Sequence, residues 1–218
     1  MTTAAAAVLD APAAAAGAPA LAPTLAPAPA PAHVPAQPEA EPEDEVFEIV
    51  DDSCAVIGRE LRGEVHRRGL LHRAVYVWVF DAAGRLLLQR RAWEKKIGPG
   101  QWDLSAAEHL AVGETFHQAA ERGLREELGI DARLPAAPAV GRHLRSITAD
   151  LPGGGRLYDC EFVESYRLDG FQGEVRVNEA EVIAVRWVTL DEVAAEIAAE
   201  PQAFTQWLRE ELPLLPRV

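Results

Sequence analysis

Lysine is almost missing from this chain: Lys95 and Lys96, adjacent to each other, are its only two in 218 residues. The chain carries 21 basic against 34 acidic side chains, a net charge of −13, and its arginines are dispersed. No basic surface fit to follow a nucleic-acid backbone is therefore expected. The first Lys or Arg is Arg59, so the basic start of a secretory signal and the arginine-rich composition of a transit peptide are both lacking. Long apolar runs are lacking too, because proline or charge interrupts each one well before the roughly twenty residues that a membrane span requires. We expect a cytoplasmic chain, with a plastid or another organelle as the alternative, and no membrane partner. Cysteine is scarce: Cys54 and Cys160 stand alone, and without a secretory signal they are expected to stay reduced.

Residues 1–45 have little to bury. They are nearly all Ala and Pro, with acid gathering at Glu39, Glu41, Glu43, Asp44 and Glu45. Repeated prolines forbid helix continuation, so a disordered arm over 1–45 is expected, leaving 46–218 as one domain. That domain opens with a hairpin over 46–59 turning at Asp51-Asp52-Ser53. One helical turn follows from Glu64 to Gly69. The apolar, β-branched run Ala74 to Phe80 is a strand, and the Asp81-Ala82-Ala83-Gly84 turn returns Arg85 to Arg91 antiparallel to it. On this returning strand Leu86 and Leu88 share one face, Leu87 and Gln89 the other. Residues 92–101 form a long connection of the kind that carries binding residues. A short strand is expected at Trp102 to Ser105, then strands at Val140 to Ile147, Arg156 to Glu164 and Glu181 to Thr189, with a turn at Gly153-Gly154-Gly155. Asp191 caps a helix over Glu192 to Ala199, and Pro201 opens a last helix burying Phe204, Trp207, Leu208 and Leu212.

Between Thr115 and Leu128 the apolar residues Phe116, Ala119, Ala120, Leu124 and Leu128 recur at helical spacing. Gly113-Glu114-Thr115 marks the start of this helix, and Gly129, with Ile130 folding back, its end. The other side bears Arg122, Glu126 and Glu127. The pattern admits two readings: a solvated face with an Arg122–Glu126 pair worth a few tenths of a kcal/mol, or carboxylates clustered to hold a hard divalent cation. For Glu114 the alternatives are a carboxylate favoured by the helix dipole and a group facing a metal.

This stretch resembles the Nudix box, G-x5-E-x7-R-E-U-x-E-E-x-G-U with U aliphatic, at Glu114, Arg122, Leu124, Glu126, Glu127, Gly129 and Ile130. It departs twice: Glu108 stands at the opening glycine, and Gly123 at a glutamate that ligates metal in the family. The resemblance implies an α/β (α+β) fold, the Nudix α/β/α sandwich with a mixed sheet, and a small-molecule diphosphate substrate cleaved with Mg²⁺, or Mn²⁺ in its place. Carried over, the catalytic set is Glu127, Glu126, Arg122 and Glu108. The metal-facing set is Glu126, Glu127, Glu114, Glu108 and His109, with Glu108 expected to replace the carboxylate lost at Gly123. Arg91, Lys95, Lys96 and Trp102 are the candidate substrate contacts. The flanks, Leu71-His72-Arg73-Ala74, Gly84 to Arg91, Pro99 to Trp102, Ser105 and His109, are similar to the isopentenyl diphosphate isomerase branch. There His109 matches a metal ligand, and His72 and His66 are further candidates, the alternative being surface or capping histidines. That family places a proton-transferring cysteine in W-T-N-S-x-C-x-H where this chain has Ala107. Three functions follow: a Nudix hydrolase of a small nucleoside or organic diphosphate, an isomerase-like enzyme, or a silent Nudix module that binds a ligand. Oligomeric state is not readable.

Overall fold

The computed structural model describes residues 42–151 and 154–216. The expectation for the arm lies outside the described residues except for Pro42 to Glu45, as does Gly153 of the glycine turn. Glu45 and Glu43 reach the domain, through Arg62 at 3.0 Å and through Lys96 respectively.

Strand β3 (His72–Asp81) is the axis of the sheet. Every residue from Ala74 to Phe80 is buried, as expected of a run that is apolar on both faces because both faces are covered. Strand β8 (Arg156–Phe171) lies parallel to β3, with His72 opposite Glu161, and β7 (Val140–Asp150) is antiparallel to β8. On the other side stand β4 (Leu86–Arg91), β5 (Trp102–Asp103), β6 (Ala106–His109) and β9 (Val182–Val188). The mixed seven-stranded sheet runs β5-β4-β3-β8-β7, with β6 on β3 and β9 on β4. A separate hairpin pairs β1 (Val46–Val50) with β2 (Val56–Leu61). Helix α1 (Arg62–Arg68) follows it and ends at Gly69, φ 63°.

The expected alternation along β4 splits the core into two layers. Leu87 packs with Val75, Val77 and Val79 against Leu124 and Leu128 of helix α2 (Phe116–Leu128). Leu86 and Leu88 pack with Trp78 and Phe80 against Val193 of α3 (Leu190–Ala199) and Leu208 of α4 (Gln206–Glu211). Burying a leucine this fully contributes about 2 kcal/mol, so the two layers, rather than any surface contact, hold the α/β/α sandwich together. Helix α2 is bounded as its sequence predicts. Thr115 and Gln118 form a reciprocal capping box, Gly129 takes φ 63°, and the Ile130 amide bonds the Leu124 carbonyl at 3.0 Å. A Cβ on Gly129 would lie 2.9 Å from the Arg176 carbonyl oxygen, so space as well as backbone sign restricts this position to glycine.

Several boundaries differ from expectation. The return from β3 to β4 is antiparallel but brief: Phe80 and Leu86 pair, after which β4 follows β9 and β6 takes Ala74 to Val77 of β3. The sheet therefore forks, and buried Ser105 sits in the fork. Its Oγ accepts from the Val79 amide at 2.8 Å and donates to the Leu87 carbonyl at 2.6 Å. The strand expected over Trp102 to Ser105 stops at Asp103, and β6 follows it. Strand β8 continues past Glu164 to Phe171. Thr189, not Asp191, caps α3, because a threonine followed three residues later by Glu192 satisfies two end amides reciprocally. Pro201 opens a single 3₁₀ turn, and α4 starts after Thr205.

Candidate active site

The fork opens onto a cavity of about 230 Å³ that meets three kinds of wall. Arg62, Arg91 and Lys95 supply positive charge; Ala74, Tyr76, Ala107, Ile147, Leu157 and Trp207 supply an apolar flank. Apart from Glu45, which pairs with Arg62, the remaining charged or imidazole groups fall into two clusters, one of imidazoles and one of carboxylates.

In the first cluster α1 delivers His66, the start of β3 His72, the end of β6 His109, and β8 Asp159 and Glu161. All except His109 are buried. His72 Nδ1 bonds the Leu70 carbonyl at 3.0 Å, which requires Nδ1 to carry the proton and turns Nε2 toward Asp159 Oδ1 at 3.3 Å. His66 Nε2 is 3.6 Å from that oxygen, and His109 Nε2 is 3.1 Å from Glu161 Oε1. Phe47 of β1 covers the group, with ring centroids 5.3 Å from His72 and 4.6 Å from His109. His66 Nε2, His72 Nε2 and Asp159 Oδ1 are buried with no hydrogen-bond partner. Buried polar atoms left unmatched are costly, and ligand atoms of His66, His72, His109 and Asp159 lie within 4.8 Å of one another. The set is chemically able to hold a divalent metal, since neutral imidazole and carboxylate suit such ions. Burial, and then the neighbouring His109, push His66 down to about 3, keeping it neutral and ligand-ready. At His72 burial also opposes charge, but Asp159 and Glu161 outweigh it and raise the pKa.

The second cluster centres on Arg122. Its guanidinium donates to Glu108 Oε2 at 2.7 Å, Glu126 Oε2 at 2.9 Å, Glu114 Oε2 at 3.0 Å and the His109 carbonyl at 2.8 Å. Glu127 lies deeper, accepting from the Ala107 amide at 3.0 Å and from Gln89 Nε2 at 2.7 Å. Burial raises its pKa well above the carboxylate range, and Glu108 and Glu181 raise it further. Burial likewise pushes Glu108 up to about 7; Arg122 opposes this, while Glu181 and Glu126 add to it. Lys95 holds Glu181 at 3.2 Å and opposes the rise at Glu127.

Of the residues singled out from sequence, Glu108, His109, Arg122, Glu126, Arg91 and Lys95 all line the cavity. Glu127 stands just behind Ala107 and Glu108. Glu114 braces Arg122 from the helix start, its Oε2 also accepting from the Ala111 amide at 2.9 Å. Lys96 and Trp102 are not among the lining residues. Lys96 pairs with Glu43, and Trp102 stacks against the Arg90 and Arg186 guanidinium groups at 5.8 and 4.3 Å. The histidines at 66 and 72 are buried rather than at the surface. Sequence reasoning missed Arg62, Tyr76, Asp159, Glu161 and Glu181. For Asp159 and Glu161 a signal existed: acids at alternate positions of a strand share one face.

The sequence matches the NUDIX domain family over residues 70–208. It is 39% identical over 168 residues to an isopentenyl-diphosphate Delta-isomerase of Nocardia farcinica, covering 77% of this chain and 92% of that protein. Nudix hydrolase 3 of Arabidopsis thaliana is 34% identical over 75% of this chain, but the match spans only 22% of that larger protein. A crystal structure from Deinococcus radiodurans superposes with a TM-score of 0.60 at 22% identity, covering 79% of this chain and 100% of that one, which is a likeness of fold.

Proposed function

Because the chain belongs to the Nudix family, on a branch near isopentenyl diphosphate isomerase, we propose that it is a divalent-metal-dependent hydrolase of a small organic or nucleoside diphosphate. One observation carries this reading: Arg62, Arg91 and Lys95 line the same cavity as Glu108 and Glu126, with Glu127 immediately behind. Phosphoryl transfer asks a protein mainly for positioning and charge neutralisation, and this wall arrangement offers both. The three cations bind the diphosphate oxygens. Glu126, Glu127 and Glu108 would hold Mg²⁺, or Mn²⁺ in its place, and Arg122, braced by Glu114, sets where Glu108 and Glu126 point. The residues fit such an ion, since Glu127 and Glu108 are crowded, largely buried acids, and Gln89 Oε1 beside them is buried without a hydrogen-bond partner. When bound, the ion neutralises the diphosphate oxyanions and makes water a better nucleophile. The apolar flank of Tyr76, Ile147, Leu157 and Trp207 excludes water from the rest of the substrate.

A second reading, allylic isomerisation, is favoured by Tyr76, whose hydroxyl donates to Glu161 Oε2 at 3.2 Å on the cavity wall, and by the likeness to isopentenyl-diphosphate isomerases. Moving a double bond needs a group that adds a proton and another that removes one. Glu161 serves as one; the methyl of Ala107, where that family has its cysteine, cannot serve as the other. The deciding experiment incubates the full chain and Mg²⁺ with nucleoside, prenyl and thiamine-type diphosphates, following phosphate release and the isomer content of the prenyl products. Hydrolysis without isomerisation supports the proposal. Isomerisation alone overturns it, and neither reaction leaves a ligand-binding module.

A further inference from the structure

Both departures from the Nudix box meet in space. Glu108 leaves β6 and crosses the third turn of α2, so that a Cβ built on Gly123 would stand 2.6 Å from Glu108 Cγ and 3.4 Å from its Cβ. Contacts that short do not occur, and Cγ is the middle of the side chain, which cannot swing aside while Arg122 Nη1 holds Glu108 Oε2 at 2.7 Å. Any residue but glycine at 123 would displace the Glu108 stem. The same point on Gly123 is 3.7 Å from Glu127 Oε1, so the stem brings its carboxylate to the side of the helix where Glu127 lies. Glycine inside a helix costs about 1 kcal/mol relative to alanine, and here that cost has a use: it opens the lane through which a strand-borne acid reaches the site. A second observation points to a ligand. Gln89, 2% exposed, spends its Nε2 on Glu127 and leaves Oε1 buried without a partner.

We propose that Glu108 and Gly123 are one reciprocal exchange, in which the divalent-ion carboxylate missing from helix α2 is supplied from strand β6 over a deliberately empty position. The inference rests on the metal-dependent reading above and gives the structural reason that Glu108 can complete it. It also sets the direction from which the third carboxylate approaches, from the sheet and not from the helix.

The test is Mn²⁺ binding by the chelator-treated full chain, with free Mn²⁺ read by electron paramagnetic resonance. Glu108→Gln keeps the stem and removes the charge. It should weaken the class of site that Glu127→Gln also weakens by about tenfold or more, the scale of losing a supporting group at a metal site. Gly123→Glu alone should collide with Glu108 and lower the melting midpoint. Glu108→Gly combined with Gly123→Glu removes the collision, and it should recover both the midpoint and most of the Mn²⁺ affinity that Glu108→Gly loses. Wild-type affinity in Glu108→Gln overturns the exchange, even if the combined variant fails to fold. A folded combined variant with no recovered affinity overturns it as well. Because binding is read without turnover, the two proposals fail separately. Mn²⁺ binding that needs Glu108, in a chain that hydrolyses no diphosphate, refutes only the hydrolase reading. Metal-dependent hydrolysis with Glu108 dispensable for binding refutes only the exchange.

Discussion

Arg91→Met should reveal that one cavity cation is also the counter-ion of a buried acid. Arg91 Nη1 lies 3.1 Å from Asp103 Oδ2, with the Asp103 side chain 0% exposed and that of Arg91 11%. Arg91 also bonds the Ile97 carbonyl at 3.0 Å and covers Trp207 at 5.0 Å from its ring centroid. Asp103 Oδ1 keeps Thr205 Oγ1 and the Leu104 amide, at 2.9 and 2.8 Å, whereas Oδ2 depends on Arg91. Methionine preserves much of the apolar packing on Trp207 and removes the charge. Breaking one side of a buried pair costs about 3–5 kcal/mol, and we expect the low end here, because Thr205 and the amide remain. For a chain of this size about 3 kcal/mol is a fall of roughly 6–12 °C in the unfolding midpoint. The pH dependence gives the sharper signature. Burial raises the Asp103 carboxyl above its ordinary 3.8 even with Arg91 beside it, and losing Arg91 must raise it further. A raised carboxyl binds more protons folded than unfolded, so its contribution to stability is greatest below 3.8 and lost as pH rises through the folded value. The deficit of Arg91→Met should therefore be small near pH 4 and grow toward pH 8. Urea unfolding followed by tryptophan fluorescence at pH 5 and pH 8, with Asp103→Asn in both backgrounds, measures it. A deficit equal at the two pH values, or a coupling below about 0.5 kcal/mol in the double-mutant cycle, would refute the reasoning.

Further outcomes are expected elsewhere. Glu127→Gln is isosteric: its carbonyl oxygen still accepts from the Ala107 amide, and its new NH2 meets Gln89, whose side-chain amide can turn over to accept it. The variant should retain the fold by circular dichroism and lose roughly 10²-fold or more in metal-dependent turnover, and full activity in excess chelator would remove the metal from the mechanism. Isopentenyl diphosphate in deuterated water should gain no deuterium at an enzyme-like rate, and rapid exchange seen by NMR would mean that some residue other than Ala107 moves the proton. Thr115→Ala removes the cap of α2 and should cost about 1 kcal/mol. Leu124→Ala, beneath the same helix, should cost about 2–5 kcal/mol. A larger effect at Thr115 than at Leu124 would show that the helix is held by its end and not by its buried face.

The box helix was legible because each of its signals is local: the spacing of Phe116, Ala119, Ala120, Leu124 and Leu128, a hydroxyl before them and a glycine after. The carboxylates gathered around Arg122 came with it, and Glu108 does lie against Gly123. What stayed hidden depends on pairing. Ala106 to His109 has no β-branched residue, and its strand character comes from the ladder that β3 offers it. Histidine burial at 66 and 72 arises from the hairpin that lays Phe47 over them, a contact that nothing in the sequence spacing encodes. Asp159 and Glu161 were readable from alternation but look like any half-solvated strand until β8 is known to lie inside the sheet, beside β3. Thr189 follows a pattern that the sequence does carry, since threonine followed at the third position by glutamate is a stronger start signal than Asp191. Trp102 shows the opposite error, an aromatic beside a binding loop that spends itself on two arginines away from the cavity.

The serine in the fork makes the spacing of the site a property of a single hydroxyl. Strand β4 carries Arg91, and β6 carries Ala107, Glu108 and His109, so the width of the cavity between them is the distance to which the sheet is allowed to split. Ser105 is the rivet at the apex of that split, supplying in one oxygen the acceptor that Val79 needs and the donor that Leu87 needs. Replacing it with alanine would leave two backbone groups unanswered in a dry place, at about 1–3 kcal/mol each, and the cheapest relief would be for β3 and β4 to zip together. The jaws would then close from the hinge outward. A residue outside the cavity wall thereby fixes the gauge of the cavity, and on the proposed reading variants at 105 would change which ligands fit before they changed the groups that meet them.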